Sequence, residues 1–341
     1  MFVKLFLNLT LKSPDQFNWS GGFVCALFLF FFCSMSASAV SLSHSSSLDK
    51  RPAIIKNSLK KFNAVSAYKK LSINVLNEDF NLSAEKPNSD LVVMSLHDLA
   101  ERVPALQVLE LPFFYNGLDD IHAKLDGEFG KQLQTIAQKN NWVILEWWDE
   151  GLHAMTGNRR YDQRINLSGM EFILLRDDPM AQLQFKSLNA WSRRVYPQSS
   201  QQLLHECVVG SRSATLAQIW SERLDRVHLS LSLNQSRYEG WVLMSPLSRW
   251  QALSKKEREQ LSDAAKSMRS WQRDEALRLE KAALRNLQGT GMQVFEITVE
   301  QRQDFISSLP AWDKLLPASL SAAEKKSLLS AATTNRISLA Q

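Results

Sequence analysis

Cysteine is nearly absent from this chain: there are three in 341 residues, and two of them, Cys25 and Cys33, fall in an apolar run near the N-terminus. Beyond that run Cys207 stands alone, so no intramolecular disulfide staples the fold and a hydrophobic core must hold it. Flanked by Val208 and Val209, Cys207 reads as a small buried hydrophobe rather than a reactive thiol. The six histidines are scattered, and no pair has the spacing of metal ligands on a helix face or hairpin, which leaves a zinc site without support. There is no G-x-S-x-G elbow and no phosphate loop; Gly289-Thr290-Gly291 follows a helical pattern and reads as its stop. Ser58 and Lys61 fit the bare S-x-x-K spacing, but the other partners of that chemistry are missing, and a solvated helix face explains them. Glu146, Asp149 and Glu150 lie close together; local turn and cap roles account for them better than acid-base catalysis does. No enzyme and no cofactor are therefore expected.

What is present is ordinary globular material, 45% hydrophobic and 22% charged, long enough for about two domains. The net charge of +5 is spread along the chain with no basic tract, which argues against nucleic acid as a partner. Phe23 to Cys33 is uncharged and apolar, preceded by Lys4 and Lys12 and followed by Ala37-Ser38-Ala39, a small-x-small cleavage form. Residues 1–39 thus read as a signal peptide, with the mature chain starting at Val40. The strictly apolar core falls short of the roughly 20 residues that a spanning anchor needs.

Along the mature chain, strand and helix patterns alternate. Val40 to His44 alternates as a strand, Ile54, Ile55, Leu59 and Phe62 recur at helical spacing after Pro52, and Leu71 to Val75 alternates again. Asp119 to Lys139 and Pro179 to Arg193 each predict an amphipathic helix. Between them, the stretch from Trp142 to Arg176 reads as a buried strand, a Gly-containing turn, an Arg-rich loop and a second apolar run. Trp241 to Met244 is a continuous apolar strand of the kind buried on both faces. Ser254 with Glu257 forms a capping box that opens a long helix to about Leu287. The whole is an α/β protein.

In order and at matching intervals, VPALQVLELPFFY, LDGEFGKQL, WWDEGLHAMTGNRR, LSGMEF and GWVLMSPLSRWQALSKKEREQL resemble the DctP-type solute-binding receptors of tripartite ATP-independent periplasmic (TRAP) transporters. The resemblance covers nearly all of the mature chain. The segment between Asn77 and Asp90 is shorter than is usual in that family, by about one element. The resemblance implies a two-lobe, type II periplasmic-binding-protein-like fold with a long lobe-spanning helix. Lobe I would hold residues 40–152 plus 240–254, lobe II residues 153–239 plus 288–341, and the spanning helix residues 255–287. It also implies a periplasmic monomer that closes on a small organic solute and delivers it to TRAP membrane permease subunits.

A carboxylate entering such a cleft must shed water, and an Arg fork compensates with two parallel charge-assisted bonds. On the family pattern that Arg stands where this chain has Ile173; a second Arg is replaced by His153, and an Asn by Ala214. Arg212, two residues before Ala214, keeps strand parity and is the expected substitute anion contact, whereas Arg176, three past Ile173, would face the other way on a continuing strand. The expected ligand-binding set is His153, Ile173, Arg212, Ala214, Trp147, Trp148 and Trp220. Two readings stay open: a receptor that has moved toward a less charged solute, and a binding-deficient paralogue acting as an envelope interaction or regulatory protein.

Overall fold

The computed structural model describes residues 40–44, 52–79 and 89–333; the expected signal peptide and most of the segment after Asn77, expected to be shortened, lie outside the described residues. Ten strands are present among them: β1 (Val40–His44), β2 (Ile73–Asp79), β3 (Leu91–Ser95), β4 (Trp142–Gly157), β5 (Glu171–Leu174), β6 (Trp191–Arg194), β7 (Arg212–Thr215), β8 (Ser230–Leu233), β9 (Tyr238–Pro246) and β10 (Gln293–Glu296). Eight of them form a mixed sheet in the order β10-β8-β4-β9-β3-β1-β2, with β7 also pairing β4, and β5 and β6 form a small parallel pair.

β4 joins the two halves of that sheet. From Trp142 to Leu152 it runs antiparallel to β9, and from His153 to Gly157 it pairs with β7 and β8 instead. The expected Gly-containing turn is therefore not a turn, because the strand runs through Gly151 to Gly157. What the glycine supplies is a bulge. The register against β9 slips between Asp149 and Gly151, which leaves Glu150 as the extra residue, and Gly151 sits at φ +147°, a region open to glycine. β9 is buried along its whole length, as a continuous apolar run buried on both faces requires.

The core follows the same division. One sheet half is covered by a cluster containing Leu106, Phe129 and Val242 and by another containing Phe62, Trp148 and Leu243. The other half is covered by clusters built on Ala154, Ile219 and Leu231 and on Tyr161, Phe172 and Phe185. A helical pair, Lys255–Ser267 and Arg269–Gly289, connects the halves: Leu261, Ala265 and Ala276 pack with Trp148, while Ala283 and Leu287 pack with Ile219. It is opened by the Ser254/Glu257 capping box, as expected, but is interrupted at Met268, whose φ −98° and ψ −2° sit at the edge of the right-handed helical region.

Three further differences have local causes. The expected helix from Asp119 to Lys139 is two, Leu118–Asp126 and Glu128–Lys139, because the chain turns extended at Gly127 and Gly130 packs hard on the Leu125 carbonyl. The helix after Pro179 stops at Ser187; Asn189 takes a left-handed φ of 58°, and Trp191 to Arg194 leave as β6. Finally, Leu315, Leu316, Leu328 and Ala332 pack with Phe129 and Leu133, so residues 315–332 return to the first half of the sheet rather than staying with residues 153–239.

Candidate ligand cleft

A cleft of about 1010 Å³ opens where β4 and β9 pass between the two halves of the sheet. Three strands and one loop bring its polar groups together. Glu150 and His153 come from β4 at and just after the bulge, Glu239 from β9, Arg212 and Ser213 from β7, and Arg176 from the loop after β5.

Arg176 forms a two-pronged pair with Glu239, Nη1 to Oε1 at 2.9 Å and Nη2 to Oε2 at 3.3 Å. The strand ends at Leu174, so the alternation rule that turned Arg176 away from the cleft no longer applies to it. About 35% of its side chain remains open, whereas Glu239 is buried beneath it. Burial would raise the Glu239 pKa, but the Arg176 charge and the His153 hydrogen bond outweigh it and hold the carboxyl well below its ordinary value. His153 donates from Nε2 to Glu239 at 2.7 Å, which leaves Nδ1 to accept from the Ser213 hydroxyl at 3.3 Å. Burial lowers the His153 pKa, outweighing the adjacent carboxylate, so the ring is neutral.

Glu150 has a different environment. The bulge places its carboxyl against the Trp241 indole, which donates at 2.7 Å, and against the Gln218 amide at 2.5 Å. Burial, and next the Glu239 charge, push its pKa up to about 8. Glu150 and its neighbours are thus tertiary groups, not turn caps: Asp149 accepts from Tyr238 of β9 at 2.7 Å and Glu146 from Arg269 of the helix Arg269–Gly289 at 2.9 Å.

Of the expected set, His153, Arg212 and Trp220 line the cleft. Arg212 does so with its donors engaged: Nε and Nη2 reach Glu222 at 3.1 to 3.3 Å, and Nη1 reaches the Ile173 carbonyl at 3.1 Å. The other four lie elsewhere. The Ile173 side chain is wholly buried against Gly210, and Ala214 is buried opposite Ala154, both in the second-half core. Trp147 packs with Leu106 and Phe129, and Trp148 meets Phe62 edge-on at 6.5 Å. Successive residues of a strand face opposite sides, and both sides of this part of β4 are covered by core, so neither ring reaches the cleft. Sequence reasoning passed over Arg237 and Asp178, paired at 2.7 Å at the cleft floor, and Glu239 itself, 63 residues from its Arg176 partner. No local pattern signals such a separation.

The model of the bacterial extracellular solute-binding protein family 7, DctP, matches residues 82–316. The chain is 25% identical over 208 residues to the C4-dicarboxylate-binding protein DctB of Bacillus subtilis, covering 60% of this chain and 59% of that protein. Among solved structures, a TRAP periplasmic solute-binding protein from Ochrobactrum anthropi, with its C-terminus bound in the ligand-binding pocket, superposes with a TM-score of 0.75 at 22% identity, covering 88% of this chain and 96% of that one. A TRAP periplasmic solute-binding protein from Chromohalobacter salexigens with bound d-glucuronate gives 0.74 at 17%, covering 87% and 99%. These likenesses establish the two-lobe, type II periplasmic-binding fold.

Proposed function

Since the chain belongs to the DctP family of bacterial extracellular solute-binding proteins, we propose that it is the periplasmic receptor of a TRAP-type secondary transporter, binding a small organic solute in the cleft between its lobes and delivering it to a membrane permease. The observation that carries this reading is the cleft itself, about 1010 Å³, with polar groups converging on it from β4, β7, β9 and the loop after β5. We place the hinge where β4 and β9 leave one half of the sheet for the other, so that closure is a rotation about paired strands. Among the described residues no helix is long and apolar enough to cross a membrane.

The test is a melting-temperature screen against organic acids, amino acids and sugars, because a ligand in excess of its dissociation constant stabilises the folded state. Small-angle scattering of the stabilised sample should show a smaller radius of gyration as the lobes close. The Arg176–Glu239 pair also supports a second reading, a binding-deficient paralogue acting as an envelope interaction or regulatory protein, since the carboxylate already on the guanidinium fork is the protein's own. Silence across the whole panel decides for that one.

A further inference from the structure

Five carboxylates and three guanidiniums line the cleft, and each guanidinium is held by a carboxylate of the same chain. Arg176 is taken by Glu239, Arg212 by Glu222 and Arg237 by Asp178. The cleft also contains neither a lysine nor a charged imidazole to receive an anion, since His153 is kept neutral by burial. An incoming carboxylate must therefore displace an internal one that is already in place and needs no immobilisation, or share a guanidinium with it against like-charge repulsion.

The two remaining carboxylates leave little net charge. Glu150 keeps its proton through neutral pH, being pushed up to about 8 by burial and Glu239. Asp98 lies in the first turn of the helix Leu96–Arg102, where the helix dipole offsets its charge. Around these balanced pairs stand neutral hydrogen-bonding groups, among them the Ser95 hydroxyl, which accepts from the Asp98 amide and keeps its own O–H, and the buried Gln184 side-chain amide, which has no partner among the described residues, beside the half-buried Trp220 ring.

We propose that Glu239 is the specificity-determining residue of this cleft: by occupying the Arg176 fork it excludes carboxylates and selects an uncharged, polyhydroxylated solute, whose hydroxyls meet the neutral donors and acceptors and whose C–H face packs on tryptophan. This rests on the receptor reading above and names the solute class of the same site. Removing the internal charge should return the fork to an anion.

The experiment uses matched pairs that differ in a carboxylate, glucose against glucuronate and galactose against galacturonate, titrated into the wild-type protein and Glu239→Gln with calorimetry and melting temperature as readouts. The expected wild-type result is binding of at least one neutral sugar and no stabilisation by its acid. Glu239→Gln should bind a uronate roughly tenfold or more tighter than wild type, and the double variant Glu239→Gln/Arg176→Met should lose that gain. Tighter wild-type binding of a uronate than of its sugar overturns the proposal whether or not the variant folds. Uronate binding by Glu239→Gln with no neutral sugar bound by wild type overturns the solute class while leaving the receptor reading in place. No binding by either protein overturns the solute class, and the wider panel above then decides the receptor reading.

Discussion

Arg176 donates to both carboxylate oxygens of Glu239, at 2.9 and 3.3 Å, and so ties the loop after β5 to strand β9. The two partners differ in exposure, and this gives the pair an asymmetric energetics. Arg176→Ala leaves a buried carboxylate with only the His153 N–H, and should cost about 2–4 kcal/mol, toward the lower end of what breaking a buried pair costs because Arg176 is partly open to solvent. Glu239→Gln leaves a guanidinium that water can still reach and should cost less. A double-mutant cycle from chemical denaturation is the measurement, with an expected coupling of roughly 1–3 kcal/mol. Additive single effects would show that the pair contributes geometry alone.

Stability should fall as pH rises from about 6.5 to 8. Glu150, raised from 4.5 to about 8, and His97, raised above 6.5 by the Glu110 hydrogen bond against the opposing effect of burial, hold their protons more tightly folded than unfolded. What each contributes is complete below its unfolded pKa and is lost as pH climbs through the folded one, at most about 1.4 kcal/mol per pH unit for one proton. His153 and His228 have the opposite sign: burial lowers both, His228 to about 4, so their contribution holds above 6.5 and is lost on acidification. Melting curves across this range should slope downward for the wild type and flatten in Glu150→Gln. An unchanged slope in that variant would assign the proton to another group.

Burial separates Trp148 from Trp220, two tryptophans expected together in the ligand-binding set. Trp148, wholly buried against Phe62, should cost roughly 3–5 kcal/mol as Trp148→Ala. Trp220 is half-buried at the cleft, and Trp220→Ala should cost roughly 1 kcal/mol in stability while weakening any solute. Denaturation midpoints read beside binding isotherms test the division. A Trp148→Phe variant that folds but loses solute affinity would return Trp148 to the site.

These tryptophans also show where the sequence stopped being readable. Periodicity found β1, the start of β2, β9 and the capped helix at Lys255, because each depends on residues adjacent in the chain. The cleft depends on residues that are not. Parity excluded Arg176, but parity needs the strand to continue, and β5 ends at Leu174. Arg212 kept parity and does reach the cleft, yet Glu222, ten residues on, holds it. That Ile173 and His153 are not arginines was legible; that Glu239 supplies an internal anion to Arg176 was not, since the two stand 63 residues apart in the chain.

Gly151 is the residue through which local backbone controls the cleft's charge. At φ +147° it is in a region that L residues rarely adopt, and it closes the bulge that sets Glu150 against Trp241 and Gln218. A Cβ there would lie 3.7 Å from Thr215, an ordinary contact, so the cost of Gly151→Ala is backbone strain rather than collision, about 1–3 kcal/mol. Gly169, with φ +75° and open space where a Cβ would go, is the control: Gly169→Ala carries a comparable strain far from Glu150 in the chain and makes no change at the bulge. Both variants should melt lower than wild type, but only Gly151→Ala should also flatten the slope between pH 6.5 and 8, because only there does relief of the strain move the Glu150 carboxyl out of its buried place. Equal slopes in the two variants would show that the bulge can relax without moving Glu150, and that the packing of Trp241, rather than the glycine, fixes the carboxyl.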